Sequence, residues 1–291
     1  MSDRRRLVAA LGMLVAFMVA EVATGLLSGS LALLSDAGHM LTDAGALALA
    51  LLAMQLAARP PRGGLTYGLR RAEILSGLVN GITLLVLAAL IALGAAVRLT
   101  NPPAVDGRWM LGVALAGIGV NALVGRLLAH THRRSLNVRG AHQHIVTDLY
   151  AFIATAVAAV VIIAGGWSRA DAVAALIVVV LMTVAGIGVI KEALLVLLEA
   201  APAGLDADDV QALLRSHPLV VDVHDFHLWE ITSEMPALSA HVLVAPGEDC
   251  HAVRRDLERS LHERFDVDHT TLQLDHAPRA VPVQVQPLTG R

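Results

Sequence analysis

The residues best suited to chemistry form one stretch, Ser35-Asp36-Ala37-Gly38-His39-Met40-Leu41-Thr42-Asp43, set in an otherwise apolar run. A histidine and a carboxylate four positions apart stand one above the other on a helix face, with Cβ atoms roughly 5–6 Å apart. The pattern returns much later as His144-Ile145-Val146-Thr147-Asp148. Ionisable side chains inside a membrane span are costly and mark function. Two imidazoles and two carboxylates, His39, Asp43, His144 and Asp148, make a tetrahedral nitrogen and oxygen set that suits Zn²⁺. The two ionised aspartates offset the charge of a divalent cation. Without the ion, protons relieve the cost of the bare groups. Metal and protons then compete for the same side chains, which is the chemistry of an antiporter.

The other polar residues in apolar surroundings have plainer readings. Asp36 shares a face with Asp43 two turns away and is read either as part of the ion path or as a helix-end carboxylate touching water. Glu21, Asn80 and Asn121 are read as hydrogen-bonding contacts between helices. His142 points to a different face from His144 and is interfacial, while His130 and His132 belong to a short solvated basic loop.

These residues need membrane helices to hold them, and the composition supplies them. Of 291 residues, 56% are hydrophobic and 16% charged, with a mean hydropathy of +0.64; soluble domains run near 25% charged. Six apolar segments are long enough to span a bilayer, near 7–28, 31–57, 72–98, 109–130, 143–166 and 171–198. The basic start Arg4-Arg5-Arg6 leads into an apolar run without a convincing cleavage site, so the first segment reads as a retained helix. Arginines cluster before the first segment, after the second (Arg59, Arg62, Arg70, Arg71) and after the fourth (Arg133, Arg134, Arg139). Only Arg98, Arg108 and Arg169 lie on the opposite side. The bias places both termini in the cytoplasm of an integral inner- or plasma-membrane protein. The net charge of −3 gives no reason to expect a nucleic-acid partner, and the single cysteine, Cys250, excludes an intrachain disulfide and a Cys-rich zinc site.

Beyond the transmembrane domain, 1–200, the chain turns polar. Acidic residues open a helix at Asp206-Ala207-Asp208-Asp209. Two stretches rich in β-formers follow (219–231 and 237–245), then a charged helix near 248–265 and a strand near 270–275. The order α-β-β-α-β over 201–276 predicts a small α+β domain with its helices on one face of the sheet, and 277–291 reads as a flexible tail. Most of the domain's histidines read as exposed surface residues. His224 and His241 on neighbouring strands, with Asp275 on the last strand, are candidate ligands for a second, cytoplasmic metal ion.

The stretch Ser30 to Asp43, the motif Tyr67-Gly68-Leu69-Arg70-Arg71-Ala72-Glu73 and the second His144-x-x-x-Asp148 together resemble the cation diffusion facilitator family, in its zinc-exporting branch. The likeness runs over about residues 7 to 276. It implies a homodimeric secondary transporter, not an enzyme, with six membrane helices per subunit and a ferredoxin-like cytoplasmic domain resembling metallochaperones. Such proteins export Zn²⁺ in exchange for protons by alternating access, with Cd²⁺, Co²⁺ or Fe²⁺ as further loads. The family's membrane site falls on His39, Asp43, His144 and Asp148. A histidine at position 39 resembles the zinc- and cadmium-selective type. His224, His241 and Asp275 align with a regulatory Zn²⁺ site, in which Gln273 stands where relatives have a histidine. The loop 57–69 holds no His, Asp, Glu or Cys, so no metal site is expected there.

Two other classes compete with this reading. An intramembrane zinc hydrolase advertises His-Glu-x-x-His, and here His39 is followed by Met40. A membrane metal sensor without flux needs the same ligands and differs only in failing to transport.

Overall fold

The computed structural model describes residues 3–128, 136–232 and 235–278, and within the helices some side chains fall outside that description. Six long helices come first: α1 (Asp3–Ser28), α2 (Leu31–Ala57), α3 (Ala72–Thr100), α4 (Gly107–Leu128), α5 (Leu136–Gly165) and α6 (Arg169–Leu197). A smaller set follows: α7 (Ala207–Arg215), β1 (Val220–Glu230), β2 (Pro236–Val244), α8 (Cys250–Phe265) and β3 (His269–His276). The chain divides into two compact units. One is Met1–Ala53 with Leu75–Lys191, the other Met54–Ile74 with Glu192–Arg291.

In the helical unit the core is built mainly from small residues. Ala32, Leu33, Ala95, Met110, Ala175 and Met182 are fully buried, among further alanines such as Ala88, Ala159 and Ala174. Small side chains let helices approach closely without water to drive them together. At Gly81 and Gly186 the α3 and α6 backbones nearly touch: a Cβ on Gly186 would stand 3.1 Å from the Gly81 carbonyl oxygen. The outward faces are apolar. Val86, Leu90, Leu93 and Val97 run along α3, and Ile177, Val180, Val184 and Ile187 along α6, all exposed. Spaced by three and four residues, they form continuous greasy stripes that suit lipid. Among the described residues, α3, the Asp148–Gly165 part of α5, and α6 are long and apolar enough to cross a membrane. α5 begins well before the apolar run that predicted it, because the mixed stretch Leu136-Asn137-Val138-Arg139-Gly140-Ala141 continues the helix.

In the second unit the three strands form one sheet in the order β1-β2-β3, with β1 and β2 antiparallel and β2 and β3 parallel. The parallel step is the crossover that α8 supplies. One sheet face buries Leu238, Ala240, Val242 and Val244 against Val210 and Leu214 of α7 and Val253, Leu257 and Leu261 of α8. The order and type of elements agree with the α-β-β-α-β expectation. Because side chains alternate along a strand, the other face carries His224, His241 and Gln273. The segment between α2 and α3 docks on this same unit. Thr232 Oγ1 donates to the Arg70 carbonyl at 3.1 Å, the Arg70 guanidinium reaches Met235 Sδ at 2.9 Å, and the Tyr67 ring meets His269 edge-on.

Candidate metal site

α2 and α5 each carry one of the paired motifs, and the structure brings a member of each together. His39 Nε2 and Asp148 Oδ1 stand 3.8 Å apart, with His39 6% exposed and Asp148 5% exposed. The separation is too long for a hydrogen bond. Two metal bonds of about 2.0–2.2 Å meeting at an angle would span it. Asp43 and His144 lie on the same two helices; their side chains lie outside the described residues. So do the side chain of His142 and residues His130 and His132.

Asp36 is 2% exposed. The alternative of a helix-end carboxylate in contact with water is therefore not realised: Asp36, in the second turn of α2, faces inward. Glu21 of α1 is fully buried, with the Asp36 carboxyl beside its own and Asp148 within electrostatic range. The structure thus places Glu21, Asp36, His39 and Asp148 in one buried polar group surrounded by apolar helices. The sequence pattern treats Glu21 as an isolated interhelical contact, because nothing in its spacing ties it to residues on α2 and α5.

A further buried carboxylate has no counterpart in the sequence reading. Asp171, in the first turn of α6, is 1% exposed and accepts hydrogen bonds from the α2 amides of Leu31 at 2.7 Å and Ala32 at 3.1 Å. The Ser30 hydroxyl donates to it at 2.5 Å, and Arg98 Nη1 of α3 lies 3.4 Å away.

On the outer sheet face of the second unit, His224 and His241 are register partners, their rings edge to face with centroids 5.4 Å apart. Asp275 does not close on them. It pairs with Leu243, two register pairs beyond the His241–Gln273 row, and accepts a hydrogen bond from Gln273 Nε2 at 2.9 Å. The carboxylate nearest His241 is instead Asp225, at 3.7 Å, which also binds His227 at 3.1 Å. Asp225 is presented by an irregularity in β1 between His224 and His227, where its own φ is +49°. A strand pattern read at period two has no place for that residue. Among the described residues, the group of three whose ligand atoms lie within 4.8 Å of one another is a different one, exposed His262, Asp266 and Asp268 at the end of α8.

Comparison with known proteins places these features in context. Residues 7–198 match the cation efflux transmembrane domain, and residues 202–277 match the ZT_dimer family, the cytoplasmic domain of cation efflux proteins. The chain is 39% identical over 279 residues to the zinc transporter ZitB of Shigella flexneri, covering 95% of this chain and 89% of that one. It is 34% identical over 281 residues to a cadmium, cobalt and zinc/H⁺-K⁺ antiporter of Bacillus velezensis, covering 95% and 90%. The metal cation efflux system protein CzcD of Cupriavidus metallidurans is 35% identical over 280 residues, covering 95% and 88%.

Proposed function

The chain belongs to the cation efflux family, and from that premise we propose that it exports Zn²⁺ in exchange for protons, with Cd²⁺, Co²⁺ and Fe²⁺ as further candidate loads. It is a membrane protein and a secondary transporter, not an enzyme. The observation that carries the reading is the buried pair His39 and Asp148, from two different helices and 3.8 Å apart. In this reading His39 and Asp43 of α2 and His144 and Asp148 of α5 hold the ion.

Binding requires the imidazoles neutral and the carboxylates ionised, so loading metal releases protons. Release of the ion leaves a buried group of like charges that takes up protons again. Each cycle therefore moves metal one way and protons the other, provided the site opens to the two sides in turn. Asp36, buried three residues before His39, lies on the route by which the ion reaches the ligands.

The domain division 1–200, 201–276 and 277–291 belongs to the same proposal, supported by family matches that end at 198 and begin at 202. The arginine distribution supports cytoplasmic termini, and the ZT_dimer match supports a homodimer. His224 and His241 support a regulatory Zn²⁺ on the cytoplasmic domain, with Asp225 placed better than Asp275 to serve as its carboxylate.

The test is to load proteoliposomes with a pH-sensitive dye and add Zn²⁺ outside. Metal entry accompanied by loss of internal protons supports the exporter. Stoichiometric zinc binding with neither flux nor a pH change would establish a sensor instead.

A further inference from the structure

The start of α2 is capped by another helix. An α-helix leaves its first four amides without partners inside the helix. Here the Ser30 hydroxyl takes the Leu33 amide at 3.2 Å in the ordinary N-cap manner. The amides of Leu31 and Ala32 are taken by the Asp171 carboxylate of α6, to which Ser30 also donates. The carboxylate thus meets two amides, a hydroxyl and the positive end of the α2 dipole at once. Arg98, near the C-terminal end of α3, adds a cation beside Asp171 and donates to the Gly29 carbonyl. The amide of Asp106, just ahead of α4, donates to the Ser28 carbonyl at 3.1 Å. The turn from α1 into α2 is therefore fastened from α3, α4 and α6 together, and Asp171 is the group on which most of these bonds converge.

We propose that Asp171 is a positioning residue for the metal site: by capping α2 from α6 it fixes the depth and rotation of α2. His39 follows two turns on, roughly 12 Å along the axis, with Asp43 one turn further. A rigid helix turns a shift at its capped end into a displacement of its ligands relative to Asp148 on α5. Metal–ligand distances are held within about 0.2 Å in working sites, so slack of this kind weakens binding and blurs the choice between ions of different radius. The proposal rests on the four-ligand reading of His39, Asp43, His144 and Asp148.

The test is transport kinetics of the full chain in proteoliposomes, with Zn²⁺ and Cd²⁺, for Asp171→Asn, Ser30→Ala and Asp148→Ala. Loss of a group that orients ligands costs metal affinity about 10- to 100-fold. Asp171→Asn is expected to raise the apparent KM for Zn²⁺ by about tenfold or more and to shift the Zn²⁺ over Cd²⁺ preference away from the wild-type ratio. Ser30→Ala, which leaves α6 untouched, shifts both the same way by less, and it carries the test if Asp171→Asn does not fold. A purely structural role lowers only the amount of folded protein, so Vmax falls while KM and ion preference stay at wild type; that result overturns the proposal, as does wild-type behaviour throughout. Asp148→Ala separates the two claims. Wild-type flux in that variant removes the ligand reading itself, whatever Asp171 does.

Discussion

His39 Nε2 of α2 and Asp148 Oδ1 of α5 stand 3.8 Å apart, with both side chains buried. An imidazole and a carboxylate at that distance, held by separate helices and short of a hydrogen bond, form a gap a cation can bridge. Each residue is one half of a His-x-x-x-Asp pair in the sequence. If His39 supplies a nitrogen ligand, its identity sets which ions the site accepts.

Replacing that nitrogen by oxygen is the direct check. His39→Asp gives an all-but-one oxygen set, and oxygen ligands favour harder ions such as Mn²⁺ over Zn²⁺. The variant is expected to gain Mn²⁺ transport while losing Zn²⁺ over Mn²⁺ preference, measured by competition uptake. An unchanged preference among Zn²⁺, Cd²⁺ and Mn²⁺ counts against His39 as a ligand.

The close approach of α3 and α6 predicts where the helical unit tolerates no side chain. Gly186→Val places a β-branched group against the Gly81 carbonyl and Leu85. Overpacking of this sort costs about 1–3 kcal/mol. The variant is expected to lose thermal stability in detergent, while Gly188→Val, with open space around its Cβ position, keeps the wild-type melting temperature. Equal melting temperatures for the two variants would contradict the packing described for α3 and α6.

In the second unit the facing histidines predict a zinc-binding phenotype. His241→Ala is expected to reduce the zinc bound per chain by one ion while the membrane site still loads, read by equilibrium dialysis. Asp225→Ala weakens that same ion more than Asp275→Ala does, because the Asp225 carboxylate is the one beside His241. The reverse ranking of the two aspartates contradicts this assignment.

Asp249 gives a pH dependence. It caps α8, accepting from the Ala252 and His251 amides, and these bonds hold its carboxyl below the usual aspartate range. A depressed native pKa contributes stability that is present above the unfolded value near pH 4 and fades as pH falls through the native one. Hydrogen exchange of the α8 amides in the full chain is expected to be faster in Asp249→Ala than in wild type at neutral pH. The difference narrows in acid, as the wild-type carboxyl itself protonates. A gap that persists unchanged below the native pKa contradicts the cap's role.

How much of this was legible in the residues depends on the range of the signal. The six helices and the α-β-β-α-β order follow from apolar runs and β-formers, which are local. The start of α5 was not, because Leu136 to Ala141 are helical but Asn137, Arg139 and Gly140 break the apolar run. His39 and Asp148 stand out because an ionisable residue in an apolar run is conspicuous by itself. Asp171 is as buried as either, yet in sequence it is an ordinary first-turn acid of α6. Its partners Ser30, Leu31 and Ala32 sit at the far end of the unit's sequence, and a backbone amide leaves no mark on a residue pattern. Asp225 escaped for another reason: a strand irregularity re-aims it, and period-two reasoning assumes regular strands.

The central claim, proton-coupled metal flux through a site that includes Asp148, is tested most directly by Zn²⁺ uptake into proteoliposomes with and without an imposed pH gradient, for wild type and Asp148→Ala. The account predicts gradient-stimulated uptake by wild type and none by the variant, with both proteins folded. Wild-type uptake by Asp148→Ala, or uptake indifferent to the gradient, would contradict it.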